Sequence, residues 1–143
     1  MYRSYILGLI LLANSWIVNT MPHTQELNSG WRFKQARLSN WYPATVPGVV
    51  HTDLLANGII EDPFYWLNER GLQWIDKEDW IYETSFDLSD AVYSKNNIHI
   101  LFNGLDTYAD VYLNNEKIIS ANNMFRQWTA DIKKIARRTG NIL

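Results

Sequence analysis

Few of the side chains that could do chemistry fall into a pattern that would let them act together. Asp106 and Asp110 stand four residues apart in a strand-and-turn context, which points both to one face without making them converge. Acid–base hydrolysis needs two carboxylates held at a set separation around one bond, whereas aspartates beside a turn more often cap it and solvate a face. His51 and Asp53 are close in the chain, but His99 falls in a separate strand-like run, and no third ligand has metal spacing. A hydrogen-bonded structural histidine is therefore expected, with no metal and no cofactor. Arg126, between Phe125 and Trp128, can reach a carboxylate or stack on a ring, and an ion pair is its expected role. Arg137-Arg138 reads as a solvated pair.

Aromatic side chains are the more unusual resource. They make up 14% of the chain, with seven Trp and eight Tyr. Exposed rings form platforms for the apolar faces of sugars, yet most large rings fill cores and need a partner for the indole or phenol polar atom. Trp41 and Trp80 are assigned to core packing. The stretch from Phe64 to Trp80 is rich in rings but shows no clear periodicity. Long irregular connections of that kind carry function or lie against another surface.

The elements that must hold these residues are strands. Ala109, Val111 and Leu113 alternate with Tyr108, Asp110 and Tyr112, the period-two pattern of a strand with one buried face. Ile98, Ile100 and Phe102 alternate in the same way and stop at Asn103-Gly104, a reversal signal. Asn114-Asn115 supplies a second reversal into Lys117–Ile119, so three antiparallel strands in a meander are expected over Ile98–Ile119. Trp31 and Phe33 alternate in a further strand, and Ile81–Leu88 reads as another. Two prolines keep Trp41–Gly48 extended. Between Val50 and Ile60 one short helix is expected, starting near His51 or Thr52 and stopped by Gly58. Asp90–Lys95 is a polar connection, Asp131–Arg138 a charged segment, and Ile142-Leu143 the start of a strand whose partners lie further on.

Composition limits the setting. The 143 residues are 47% hydrophobic and 20% charged with a formal net charge of −2, one domain's worth of ordinary globular chain. That balance leaves no electrostatic footprint for nucleic acid or an anionic membrane surface. Met1-Tyr2-Arg3 followed by the apolar run Ile6–Ala13 has the layout of a secretory signal peptide, too short for a comfortable membrane span. Residues 1–20 are assigned to that peptide and 21–143 to the folded domain, with no membrane contact in the mature form. The chain has no cysteine and no Asn-X-Ser/Thr acceptor, so neither disulfides nor N-glycans support it. A periplasmic or secreted location is expected.

Several motifs occur together and in order: Trp41 to His51 (WYPATVPGVVH), Asp62-Pro63-Phe64-Tyr65 with Asn68-Glu69, Gln73-Trp74-Ile75, Asp79-Trp80 with Tyr82, Gly104 to Asn114, and Asn123-Met124-Phe125-Arg126. In this combination the chain resembles the N-terminal domain of the β-mannosidases of glycoside hydrolase family 2. The resemblance spans Trp31 to about Trp128. The strand motif is shared across family 2, and Val-Pro-Gly-x-Val-His with Asp-Pro-Phe-Tyr and Gln-Trp-Ile is narrower.

The resemblance implies an all-β fold, a galactose-binding-domain-like jelly-roll β-sandwich with one short helix and its last strands cut off, packed beside a later (β/α)8 barrel. It also implies an exo-acting, retaining hydrolase of terminal β-mannose from oligosaccharides or glycoprotein glycans, with two glutamates of the barrel as nucleophile and acid/base, about 5 Å apart. No catalytic residue is assigned to this chain, and the fragment alone is not expected to be active. Asn68-Glu69 matches the Asn-Glu pair of such sites in type only, since it lies in the wrong domain, and it reads as part of the N-terminal loop. If any residue here touches substrate, the aromatic loop and the resemblance together favour Trp74, with Asn68 and Gln73 as polar neighbours. The alternative is a free-standing carbohydrate-binding sandwich without catalysis.

Overall fold

The computed structural model describes residues 22–143, so the signal-peptide assignment lies outside the described residues. Among the described residues nine short strands and a few helical turns follow one another: β1 Arg32–Gln35, β2 Tyr42–Pro43, α1 Val50–Ala56, α2 Asn68–Gly71, a 3-10 turn at Ile75–Lys77, β3 Trp80–Glu83, β4 Ser85–Phe86, α3 Asp90–Tyr93, β5 His99–Phe102, β6 Ala109–Leu113, β7 Glu116–Ala121, β8 Trp128–Asp131 and β9 Asn141–Ile142. No helix among the described residues is long and apolar enough to cross a membrane.

Pairing is antiparallel throughout. β1 lies between β2 and β3, with Phe33 opposite Tyr42 on one side and Tyr82 on the other. The run expected over Ile81–Leu88 changes partner at Thr84. Upstream it pairs with β1, and downstream β4 pairs with β9. Thr84 itself exchanges backbone hydrogen bonds with Leu143, at 2.9 and 3.0 Å. The strand expected at Ile142-Leu143 is present as β9, but the expectation that its partners lie further on is corrected, since β4, earlier in the chain, pairs with it.

β6 and β7 form the hairpin that the alternation implies. Leu113 is fully buried, while Asp110 and Tyr112 face outward. Asn114 and Asn115 both take positive φ, 52° and 72°, as a two-residue turn between right-twisted strands requires, and asparagine tolerates that region. A register shift skips Ile118, so Val111 faces Ile119 but Tyr112 faces Lys117.

The expected three-strand meander is corrected. β5 pairs with β8, not β6, with Ile100 opposite Ala130 and Phe102 opposite Trp128. Asn103-Gly104 opens a longer connection instead of a hairpin. Ile100 of β5 and Leu113 of β6 still meet, in one apolar cluster reached from two different strand pairs. Alternation reveals which face of a strand is buried but carries no label for its neighbour.

α1 forms where expected. The Thr52 hydroxyl donates to the Val49 carbonyl at 2.7 Å and accepts the Val49 N–H at 3.4 Å, closing the first turn. The helix ends in a Schellman arrangement: Gly58, at φ 66°, donates to Leu55 O, and Ile59 donates to Leu54 O. The expectation of a single helix is corrected, since α2, α3 and the 3-10 turn are additional. Each is no more than four residues, too short to show helical periodicity in sequence.

Two apolar clusters hold the domain. Leu88, Ile98, Ile100, Leu113 and Ile132 form one. Phe33, Leu54, Ile60 and Ile75 form the other, flanked by Tyr42, Trp74, Trp80 and Tyr82. Trp80 belongs there as expected, its indole donating to Ile75 O at 3.0 Å. Trp41 does not. It lies on the outer face of β1, half-buried under the Arg32 guanidinium at 4.4 Å and near the Lys34 ammonium at 5.3 Å. Its neighbour Tyr42 takes the inward position, because successive side chains of an extended segment point to opposite faces.

Candidate functional site

The region from Ile59 to Trp74 folds around the carboxyl of Asp62. Its Oδ1 accepts the Phe64 N–H at 2.9 Å, and its carbonyl accepts the Tyr65 N–H and the Asn68 side-chain amide. These bonds make a compact turn that lifts Phe64, Tyr65 and Trp66 into solvent, with 96%, 71% and 84% of their surfaces exposed. Trp66 holds φ +49°, a left-handed conformation that costs a non-glycine residue roughly 1–2 kcal/mol. Three adjacent exposed rings on a braced loop are unusual for a surface that faces only water.

Beside this turn is an open depression of about 420 Å³ whose lining includes Ile59, Ile60, Glu61, Asn68, Leu72 and Trp74. Two of the three residues singled out from sequence, Asn68 and Trp74, thus share one surface. Trp74 packs against Trp80 at 6.0 Å between ring centroids, which fixes the indole from behind. Gln73 does not line the depression. It is exposed and donates to the carbonyl of Glu69 at 3.1 Å, bracing α2. Glu69 is exposed in the first turn of α2.

The titratable groups weighed in the sequence are dispersed. His51 and His99 are both exposed, and among the described residues no three His, Asp or Glu side chains come together as a metal site would need. Asp53 is instead buried, 2% exposed, as a structural anchor. Its Oδ1 accepts the Thr45 N–H at 2.9 Å and its Oδ2 accepts the Tyr82 hydroxyl at 2.8 Å, tying the proline segment and α1 to β3. Burial, and then the hydrogen bond to Asp53, push the Tyr82 phenol well above its usual range. This anchor was not apparent in the sequence, where Asp53 was weighed only beside His51, because its partner Tyr82 lies 29 residues further on.

Asp110 is exposed on the outer face of the β6–β7 hairpin. Hydrogen bonds from Ser120 and then Lys117, the latter at 3.1 Å, hold its carboxyl below the usual range and the Lys117 ammonium above it. Asp106 accepts the Thr107 hydroxyl, so the two aspartates have separate partners. The ion pair expected for Arg126 is corrected: its guanidinium lies over the Trp128 ring, 4.4 Å from the centroid, a cation–π contact. Arg138 meets Asp90 at 2.6 Å, an exposed pair.

Short antiparallel strand pairs closed over apolar clusters, with exposed rings on loops, define a β-sandwich module of the galactose-binding-like class. Residues 31–143 match the glycosyl hydrolase 2 galactose-binding domain-like family, and the chain belongs to it. Among known relatives, β-mannosidase B of Aspergillus terreus is 38% identical over 121 residues, covering 82% of this chain and 14% of that protein. A β-mannosidase of Rattus norvegicus is 30% identical over 138 residues, covering 96% and 16%. The crystal structure of a β-D-mannosidase from Dictyoglomus thermophilum superposes with a TM-score of 0.79 at 40% identity, over 81% of this chain and 14% of that one. An exo-chitosanase from Amycolatopsis orientalis shares the fold, with a TM-score of 0.68 at 24% identity. The chain thus spans about a seventh of the length of the β-mannosidases it matches.

Proposed function

We propose that this chain is the front domain of an exo-acting, retaining β-mannosidase, which hydrolyses terminal non-reducing β-D-mannose from oligosaccharides or glycoprotein glycans. The observation that carries this reading is the 40% identity and 0.79 TM-score to the Dictyoglomus β-D-mannosidase across most of the chain. Retention requires a nucleophile and an acid/base about 5 Å apart, acting around an oxocarbenium-like transition state. That pair is assigned to later domains of the same enzyme, and no residue of this chain is given a catalytic role.

The domain's own contribution is a scaffold and one wall beside the sugar pocket. Trp74 and Asn68 would present a ring and an amide toward the sugar, and Gln73 would act from the rim. In this reading residues 1–20 are an export signal, residues 21–143 are the domain, and the enzyme works in the periplasm or outside the cell. The polypeptide carrying this domain and its downstream domains should release mannose from p-nitrophenyl β-D-mannoside, with the β-anomer formed first by NMR. First release of the α-anomer, or a preference for another glycoside, would overturn the reading. Trp74→Phe, which keeps packing against Trp80, should raise KM with little change in kcat, and an unchanged KM would remove Trp74 from the wall.

A second reading is favoured by the exposed Phe64, Tyr65 and Trp66: a carbohydrate-binding sandwich that works without catalysis. Mannose-dependent quenching of tryptophan fluorescence in the isolated chain would support it.

A further inference from the structure

The chain contains two Asn-Gly pairs, Asn57-Gly58 and Asn103-Gly104, and the fold treats them in opposite ways. We propose that Asn103 is a site of spontaneous deamidation and isoaspartate formation in the folded protein, while Asn57 is held inert. In this reaction the deprotonated Gly amide nitrogen attacks Cγ of the preceding Asn. The new N–Cγ bond forms, the Cγ–Nδ2 bond breaks, and ammonia leaves, closing a succinimide ring. Water then opens either carbonyl of the ring, giving aspartate or its β-linked isomer. Three atoms decide the rate: the attacking Gly N, the departing Nδ2 and the Oδ1 on which negative charge develops.

At Asn57 both nitrogens are occupied. Gly58 N–H donates to Leu55 O at 2.9 Å inside the helix-ending motif, and Asn57 Nδ2 donates to Pro43 O at 2.9 Å and Asp53 O at 2.7 Å. Attack would have to break the end of α1 and two further bonds, one of them to the β2 strand. Asn103 is the reverse case. It sits exposed in the bend after β5, and neither its Nδ2 nor the Gly104 N–H makes a hydrogen bond among the described residues. Its Oδ1 instead accepts a hydrogen bond from Gln127 Nε2 at 2.9 Å, which polarises Cγ and stabilises the oxyanion of the tetrahedral intermediate.

The modification would alter more than one side chain. The Gln127–Asn103 amide pair ties the 103–108 connection to the 122–127 connection, assisted by the Thr107 hydroxyl against Met124 Sδ at 3.7 Å. Those two connections display Tyr108 and Phe125, 87% and 89% exposed. An isoaspartate adds one carbon to the main chain and a carboxylate at their junction.

The folded protein, aged at mildly alkaline pH and mapped by mass spectrometry with isoaspartate methyltransferase labelling, tests the proposal. The peptide containing Asn103 should accumulate the NH2-to-OH mass gain and label, and the Asn57 peptide should not. Both should react in denaturant. Gly104→Ala should slow the reaction at Asn103 by at least about tenfold, a barrier increase of about 1.4 kcal/mol. The added Cβ meets only Met124 O, at 3.5 Å, so the loop accommodates it. Equal rates at both sites in the folded protein, or an inert Asn103 where the denatured chain reacts, would overturn the proposal, and neither result bears on the β-mannosidase reading.

Discussion

The two apolar clusters of the domain are built from different materials. Around Leu113 the buried groups are all aliphatic, two from within strands (Ile100 and Leu113) and three from residues beside strand ends (Leu88, Ile98 and Ile132). Around Phe33 the packing is aromatic: its ring lies 5.5 Å from Tyr82 in a stack, 5.9 Å from Trp80 and 6.1 Å from Tyr42. This second cluster also buries Leu54 of α1, Ile60 and Ile75, all from the irregular half of the chain. Large rings span the gaps that poorly regular backbone leaves, and they bring polar atoms that need partners. The consequence is that the Phe33 cluster carries the Asp53–Tyr82 and Trp80–Ile75 bonds through its own side chains. The buried side chains of the Leu113 cluster have no polar atoms, and the buried Asn141, bonded to Asn114, Phe86 and Arg137, supplies the polar tie beside them.

That contrast can be tested most severely at its two centres. Phe33→Ala removes a fully buried ring and should cost about 3–5 kcal/mol, against about 2–5 kcal/mol for Leu113→Ala. Denaturant unfolding monitored by tryptophan fluorescence measures both. Because Trp74 and Trp80 pack against the Phe33 cluster, Phe33→Ala should also lose blue-shifted emission, whereas Leu113→Ala should leave native-state emission near that of the wild type. Equal spectral change from both would show that the clusters are one packing unit.

A smaller effect isolates the polar bond inside the aromatic cluster. Tyr82→Phe leaves the buried Asp53 carboxylate without one of its two donors and should cost about 1–3 kcal/mol. The same pair sets an alkaline limit. Since the folded-state phenol is raised above its ordinary value of 10.0, its contribution is fully present below that pH and is lost as pH rises above it, when the unfolded chain ionises first. Wild-type stability should therefore fall above pH 10 more steeply than that of Tyr82→Phe, and parallel curves would remove Tyr82 as the cause.

The smallest effect separates the inner and outer faces of β1 and its neighbours. Trp41, under Arg32 on the outer face, should cost no more than about 1 kcal/mol as Trp41→Ala, the scale of an exposed cation–π contact. A loss as large as that expected for a buried Trp would return it to the core.

The regular half was the more legible in sequence. Alternation located Leu113 inside and Asp110 outside, and Asn114-Asn115 marked the turn that the backbone makes. In the irregular half, α1 and its Gly58 stop were readable, but α2 and the 3-10 turn were not, because four residues or fewer display no period. Trp41 and Tyr42 were separable only by the face each takes once β2 pairs with β1. Of the site residues, Asn68 and Trp74 came together and Gln73 turned away to Glu69, a choice made by the α2 turn and not by residue type.

The amino-acid sequence by itself determined the local events: where the chain reverses, where its one longer helix starts and stops, and which strand faces are apolar. These depend on sterics and hydrogen bonds among residues a few positions apart. Tertiary structure alone decided that β5 joins β8, that Thr84 passes the chain from β1 to β9, and that Asp53 is buried under Tyr82. Partners so far apart in the chain, 29 residues for Asp53 and Tyr82, are selected by what the rest of the chain has already buried, and no local pattern encodes that competition.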